Sequence, residues 1–378
     1  MNKNFTAIAT AALTLVAGQA LASDITVYGL IDTGLSYTRA EKTQGNTTDS
    51  LAMDTGNYLG SRFGIKGYEE FGNGTKVGFV LENGFRGDTG ALMDDGRMFG
   101  REASIYVENA DYGTLRFGRL TVMTGSTGTS SLMGGKFSAM STGWGIVYGH
   151  NAVFTGSFGR YDNVIMYSTP TFAGLRLHVQ YSSGIDTVNE KDGEENKGSA
   201  TRYMAVGAQY FNGPFSTIAV VDSHRYAKTD EDASLTANLS FAYDFDVAKV
   251  FLAGQYFQDM RRLGKQTIDT ALADKDVFGN NIAKDGYALN VGFTAPVAGG
   301  KLYAALGYLD AETSKDSDKA IKRYTASMGY DYNLSKLTTV YGGAGIMYEE
   351  YDNFGAAYTA SNKSAANYGF TFGLVKRF

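Results

Sequence analysis

From residue 24 onward, hydrophobic and polar side chains alternate in short runs broken by turn residues. Ile25, Val27, Ile31, Leu35 and Tyr37 share one parity over residues 24–38. Phe63 and Ile65 oppose Arg62, Gly64 and Lys66, and Val77, Phe79 and Leu81 oppose Lys76, Gly78 and Glu82. Leu175, Leu177, Val179 and Tyr181 oppose Arg176, His178, Gln180 and Ser182. Tyr287, Leu289, Val291 and Phe293 oppose Ala288, Asn290, Gly292 and Thr294. The last run sets Tyr368, Phe370, Phe372, Leu374 and Phe378 against Asn367, Gly369, Thr371, Gly373 and Arg377. A period of two predicts strands. A strand face with Arg, His and Gln at its middle is costly in a packed core and ordinary in a water-filled lumen. The pattern therefore predicts walls between lipid and water.

The connections alternate as well. Tight turns fall at 72–74, 109–113, 170–174, 212–214, 244–246, 296–300 and 333–336. Between them lie longer polar stretches at 39–56, 86–99, 120–159, 184–199, 225–233, 259–285, 310–320 and 348–364. Seven turns and eight loops connect sixteen strands. An even number of antiparallel strands, with short turns at one end and long loops at the other, predicts an all-β transmembrane barrel. At about sixteen strands such a barrel encloses an aqueous channel instead of filling its interior with side chains.

Composition supports this. Glycine makes up 48 residues and proline only 3, which argues against a linker-like chain, where the two rise together. The 26 Tyr and 23 Phe, against a single Trp, suit interfacial girdles. Lys3, the apolar run Ala7–Ala17 and Ala20-Leu21-Ala22 form a cleavable export leader over 1–22, followed by one barrel domain over 23–378. After it, no run of ~18 apolar residues predicts a membrane-spanning helix. With no Cys, disulfides are excluded, and a net charge of −5 gives no footprint for nucleic acid.

The longest loop, 120–159, holds Trp144 and no carboxylate. Arg116, Arg119, Lys136, His150 and Arg160 all lie within or beside it. Its Gly, Ser, Thr and apolar residues predict that it folds inward against the lumen wall and narrows the pore. Catalysis is not supported. His150, His178 and His224 lack a nucleophile elbow, and Ser130–Phe137 fails as a phosphate loop at both its first and last positions. No metal or cofactor site is predicted. The acidic run Glu190–Glu195 reads as a solvated loop.

Five stretches carry a family resemblance: Val27–Asp32, Ser61–Glu69, Arg160–Pro170, Gly329–Lys336 and Gly373–Phe378. In this order they resemble the trimeric general porins of Gram-negative outer membranes, in particular the betaproteobacterial branch. The resemblance implies a homotrimer in outer-membrane lipid and lipopolysaccharide, passing small hydrophilic solutes and ions. It also implies a basic cluster opposite the inward loop, carried here by Arg62, Arg101 and Arg160. Lys66, Arg116, Lys136, Arg176 and His178 complete the expected lining. The chain departs from the family in its carboxylate-free loop and in Val375-Lys376, where Arg-His is common. The leading reading is a general diffusion pore preferring anions. A substrate-specific channel using Arg62, Arg101, Arg176 and Gln180, and a closed barrel with an adhesive or structural role, are the alternatives.

Overall fold

The computed structural model describes residues 21–43, 45–141, 144–156, 159–186, 195, 197–227, 232–263, 268, 282–353 and 364–378. The leader expected over 1–22 lies outside them, apart from Leu21 and Ala22 at the start of the first strand. Most of the acidic run around Glu190 also lies outside them.

The strands are β1 (Leu21–Glu41), β2 (Thr47–Thr55), β3 (Arg62–Phe71), β4 (Thr75–Gly84), β5 (Glu102–Asn109) and β6 (Gly113–Thr121). Then come β7 (Arg160–Ser168), β8 (Leu175–Ser182), β9 (Arg202–Asn212), β10 (Phe215–Arg225), β11 (Ser234–Asp244) and β12 (Lys249–Met260). The chain finishes with β13 (Lys284–Val297), β14 (Gly300–Thr313), β15 (Asp316–Ser335), β16 (Thr338–Asp352) and β17 (Ser364–Arg377). From β3 on, each strand pairs antiparallel with the next. The sheet closes where β1 meets β17, from Leu30↔Arg377 to Glu41↔Ala366. Closure leaves no open strand edge in the hydrocarbon, the condition for crossing a bilayer with strands.

All seven expected tight turns join consecutive strands. Two expected loops differ. Residues 39–56 form a hairpin, in which β2 pairs with the upper half of β1 while β3 pairs with its lower half. These two strands share one place in the wall, so seventeen strands make a sixteen-stranded barrel. Leu51 and Met53 share one face of β2 against Ser50, Ala52 and Asp54, a period-2 signal hidden by the surrounding Thr and Asp. Residues 310–320 likewise continue as strand, with β14 reaching Thr313 and β15 resuming at Asp316.

The two faces separate as the alternation predicts. Phe372 is 65% exposed on the outer surface, whereas its neighbour Thr371 is 6% exposed on the lumen side. The described residues of loop 120–159 stand inside the barrel. Leu120, Met123, Met133, Phe137, Met140 and Trp144 are buried against lumen-facing residues running from β7 to β17. Val153 and Phe154 extend this contact to β12–β16. The wall is thinned to receive the loop. A Cβ at Gly329 or Gly343 would come within 2.7 or 2.8 Å of the Trp144 ring, and one at Gly345 within 2.1 Å of the Val147 carbonyl. Part of the glycine excess is therefore the seat of the loop.

Candidate functional site: the constriction

Loop 120–159 leaves β6 at Thr121 and returns at Arg160, the first residue of β7. Both ends carry arginines into the lumen, and the neighbouring strands supply the rest. Arg101, just before β5, donates from Nε to Glu82 of β4 at 2.6 Å. Arg62 of β3 lies 3.9 Å from the same carboxylate. Arg160 donates to Asp94 at 3.3 Å. Arg101 and Arg160 also converge on the Thr127 hydroxyl of the loop, at 3.4 and 3.3 Å. The three arginines expected on the wall thus lie close together, and Arg101 and Arg160 touch the loop. They are not free cations, because Glu82 and Asp94 hold them.

A second layer locks this one. Arg97 bridges Asp162 and Asp186 at 3.3 and 2.6 Å, and Arg119 reaches Asp162 at 2.6 Å. Asp162 shares the lumen parity of Arg160, so period-2 reading had access to it. Asp94 and Arg97 lie on the 86–99 loop, where no parity exists to point to them.

The remaining expected residues lie nearer the mouth that carries the short turns. Arg176 of β8 spans back to β6, donating to the Thr114 hydroxyl at 3.2 Å and to the Thr169 carbonyl at 2.9 Å. Lys136 sits at the loop rim, where partial burial and the nearby Arg176 guanidinium both pull its pKa down. Arg116 stacks on Tyr106, and Lys66 lies over Tyr28. His178 is buried, with Nδ1 2.7 Å from the Ser168 hydroxyl, and contributes structure instead of lining.

On the opposite wall the loop is clamped by groups that sequence reading missed. Tyr58, between β2 and β3, dips inward. Its hydroxyl and that of Tyr303 both donate to Asp331 at 2.6 Å. Asp32 of β1 accepts the backbone N–H of Tyr58 and Leu59 at 2.9 and 2.6 Å, and the Tyr341 hydroxyl at 2.6 Å. Trp144 packs into this ring of tyrosines, 4.7 Å from Tyr58 and 5.4 Å from Tyr303.

A closed sixteen-stranded wall with an inward loop and a charged narrowing defines a channel protein. The sequence profile of the Gram-negative porins matches residues 9–355, and the chain belongs to that family. An outer membrane porin protein of Bordetella pertussis is 33% identical over 367 residues, covering 89% of this chain and 92% of that one. Among solved structures, an anion-selective porin from Comamonas acidovorans has a TM-score of 0.67 at 23% identity, covering 94% of this chain and 100% of that one. The trimer form of OmpT from Vibrio cholerae has a TM-score of 0.60 at 15% identity, covering 95% and 100%. The protein is an outer-membrane porin.

Proposed function

We propose that this porin is a general diffusion channel for small hydrophilic solutes, that it prefers anions, and that it works as a homotrimer after removal of residues 1–22. The observation that carries the anion preference is the charge at the narrowing. Arg62, Arg101 and Arg160 stand against Glu82, Asp94 and Glu102, the last opposite Glu82 in register, so the positive surplus comes from the loop, which has no carboxylate of its own. Lys136 adds a further positive charge at the loop rim. Basic groups at a constriction favour anions whatever charge the outer loops carry. The anion selectivity stated for the Comamonas structure and the trimeric form of the Vibrio structure support the same reading.

Passage is steric and electrostatic, with no binding step required of a general pore. Solute flux into proteoliposomes tests this: flux should rise linearly with concentration for small neutral sugars. Saturation would favour a substrate-specific channel, and absence of flux a closed barrel.

A further inference from the structure

The apolar packing of the loop leaves out one arc of the lumen, where the loop reaches the wall through polar contacts of Thr127 and Thr129. Among the described residues, none from β3, β4 or β5 joins the buried apolar clusters that fasten loop 120–159 to the wall. On this arc and its neighbours three aromatic rings are each capped by a cation. Lys66 Nζ lies 5.3 Å from the Tyr28 ring centre, Lys76 Nζ 4.9 Å from Tyr68, and the Arg116 guanidinium carbon 4.5 Å from Tyr106. The register places Tyr68, Gly78, Tyr106 and Arg116 in one row across β3 to β6.

Gly78 decides how the row is built. A Cβ there would come within 2.4 Å of the Tyr106 ring, so the ring lies over the glycine, flat along the wall. Gly64 receives the Tyr28 ring in the same way, at 2.7 Å. A guanidinium stacked on a flat phenol extends the platform and keeps its edge free for a planar acceptor. Arg116 Nη1 is buried without a hydrogen-bond partner, and no carboxylate lies within ion-pair distance of Arg116 or Lys66 among the described residues. Two acids stand nearby. Glu102 is occupied by Ser104 and by Thr129 of the loop, and Glu108 faces Lys76 in register.

We propose that this row is a binding subsite for aromatic carboxylates, on the short-turn side of the constriction, with the solute ring stacked on the Tyr106–Arg116 platform and its carboxylate on Arg116 and Lys66. It rests on the channel reading above and adds a solute class to it. A compact inorganic anion would use the cations but has no use for the rings. An aliphatic carboxylate of equal size would fill the space without a π face to stack.

Zero-current potentials across planar bilayers test the assignment, with equal gradients of potassium benzoate and potassium cyclohexanecarboxylate. Benzoate should be the more permeant by about threefold or more, the scale of one stacking contact. The ratio should fall to near one in Tyr68→Leu/Tyr106→Leu and in Arg116→Gln, with KCl conductance kept as the control for folding. Equal permeability in the wild type overturns the subsite, as does a preference that survives the tyrosine changes. If the double variant does not insert, the wild-type ratio decides alone. A wild type that conducts neither salt nor KCl would instead overturn the channel reading.

Discussion

Arg323 donates to Glu349 at 2.6 Å from both Nε and Nη2, and neither side chain is exposed. The pair lies on the lumen face of β15 and β16, and each partner reaches a different segment. Arg323 also donates to the Ala152 carbonyl of the inward loop, while Glu349 accepts from the Ile268 N–H at 2.7 Å and from the Tyr351 hydroxyl. A buried pair of this kind is strongly destabilising when only one partner is removed, because the other charge is left uncompensated. Glu349→Leu should therefore cost about 3–5 kcal/mol and free the end of the loop to protease. Arg323→Met/Glu349→Leu should cost less than Glu349→Leu alone. Thermal unfolding in detergent checks this, and a double variant as unstable as the two singles combined would refute it.

Trp144 is the single tryptophan of the chain, so its fluorescence reports on the loop alone. It is 2% exposed and seated on Gly329 and Gly343. Gly343→Val should push the indole off the wall and raise its quenching by acrylamide severalfold. Trp144→Ala should destabilise the loop by about 3–5 kcal/mol, as large-to-small changes at a packed aromatic do. Unchanged quenching in Gly343→Val would show that the seat does not hold the ring.

His150, on the loop, stacks on Phe154 with ring centres 4.0 Å apart, and burial lowers its pKa from 6.5 to about 4. The folded loop thus favours the neutral imidazole. Its contribution to stability is whole above pH 6.5, declines as pH falls toward 4, and is constant below. At about 1.4 kcal/mol per pKa unit, the loss reaches about 3 kcal/mol. Loop release on acidification, followed by Trp144 quenching, should fall within that window and vanish in His150→Phe. Identical pH profiles for both proteins would contradict the assignment.

Phe378 exchanges two backbone hydrogen bonds with Gly29, each 3.1 Å, below the last register pairs of β1 and β17. Deleting it unzips the seam at the short-turn mouth and exposes strand edges. The truncated protein should be exported but reach the outer membrane at a small fraction of normal levels. Wild-type levels in membrane fractions would rule this out.

Much of the barrel could be read from the chain because two-sided strands carry their faces in parity. The outward row Leu175 to Tyr181 and the lumen row Arg176 to Ser182 were separable by counting alone. The inward loop was legible from its lack of carboxylates. What escaped has a common cause. β2 is too polar for its alternation to stand out, and Asp94 and Arg97 sit on a loop with no periodicity. Arg323, Glu349, Asp32 and Tyr58 act through contacts between residues far apart in sequence, for which spacing along the chain supplies no signal. Arg62, Arg101 and Arg160 were found by resemblance, but their pairing with Glu82 and Asp94 needed the folded wall.

The constriction charge is tested most directly by the zero-current potential under a KCl gradient, for wild type and for Arg62→Ala, Arg101→Ala and Arg160→Ala. Charges about 8 Å apart still interact at physiological salt, so the wall arginines and Lys136 of the carboxylate-free loop are felt by a passing ion. The wild type should pass chloride in preference to potassium. Each substitution should shift the potential toward cations, with Arg101→Ala the largest, because it strips Glu82 of its 2.6 Å ion pair and leaves Arg62 at 3.9 Å as its remaining cation. Cation preference in the wild type, or no shift in any of the three variants, would contradict control of the pore by these arginines.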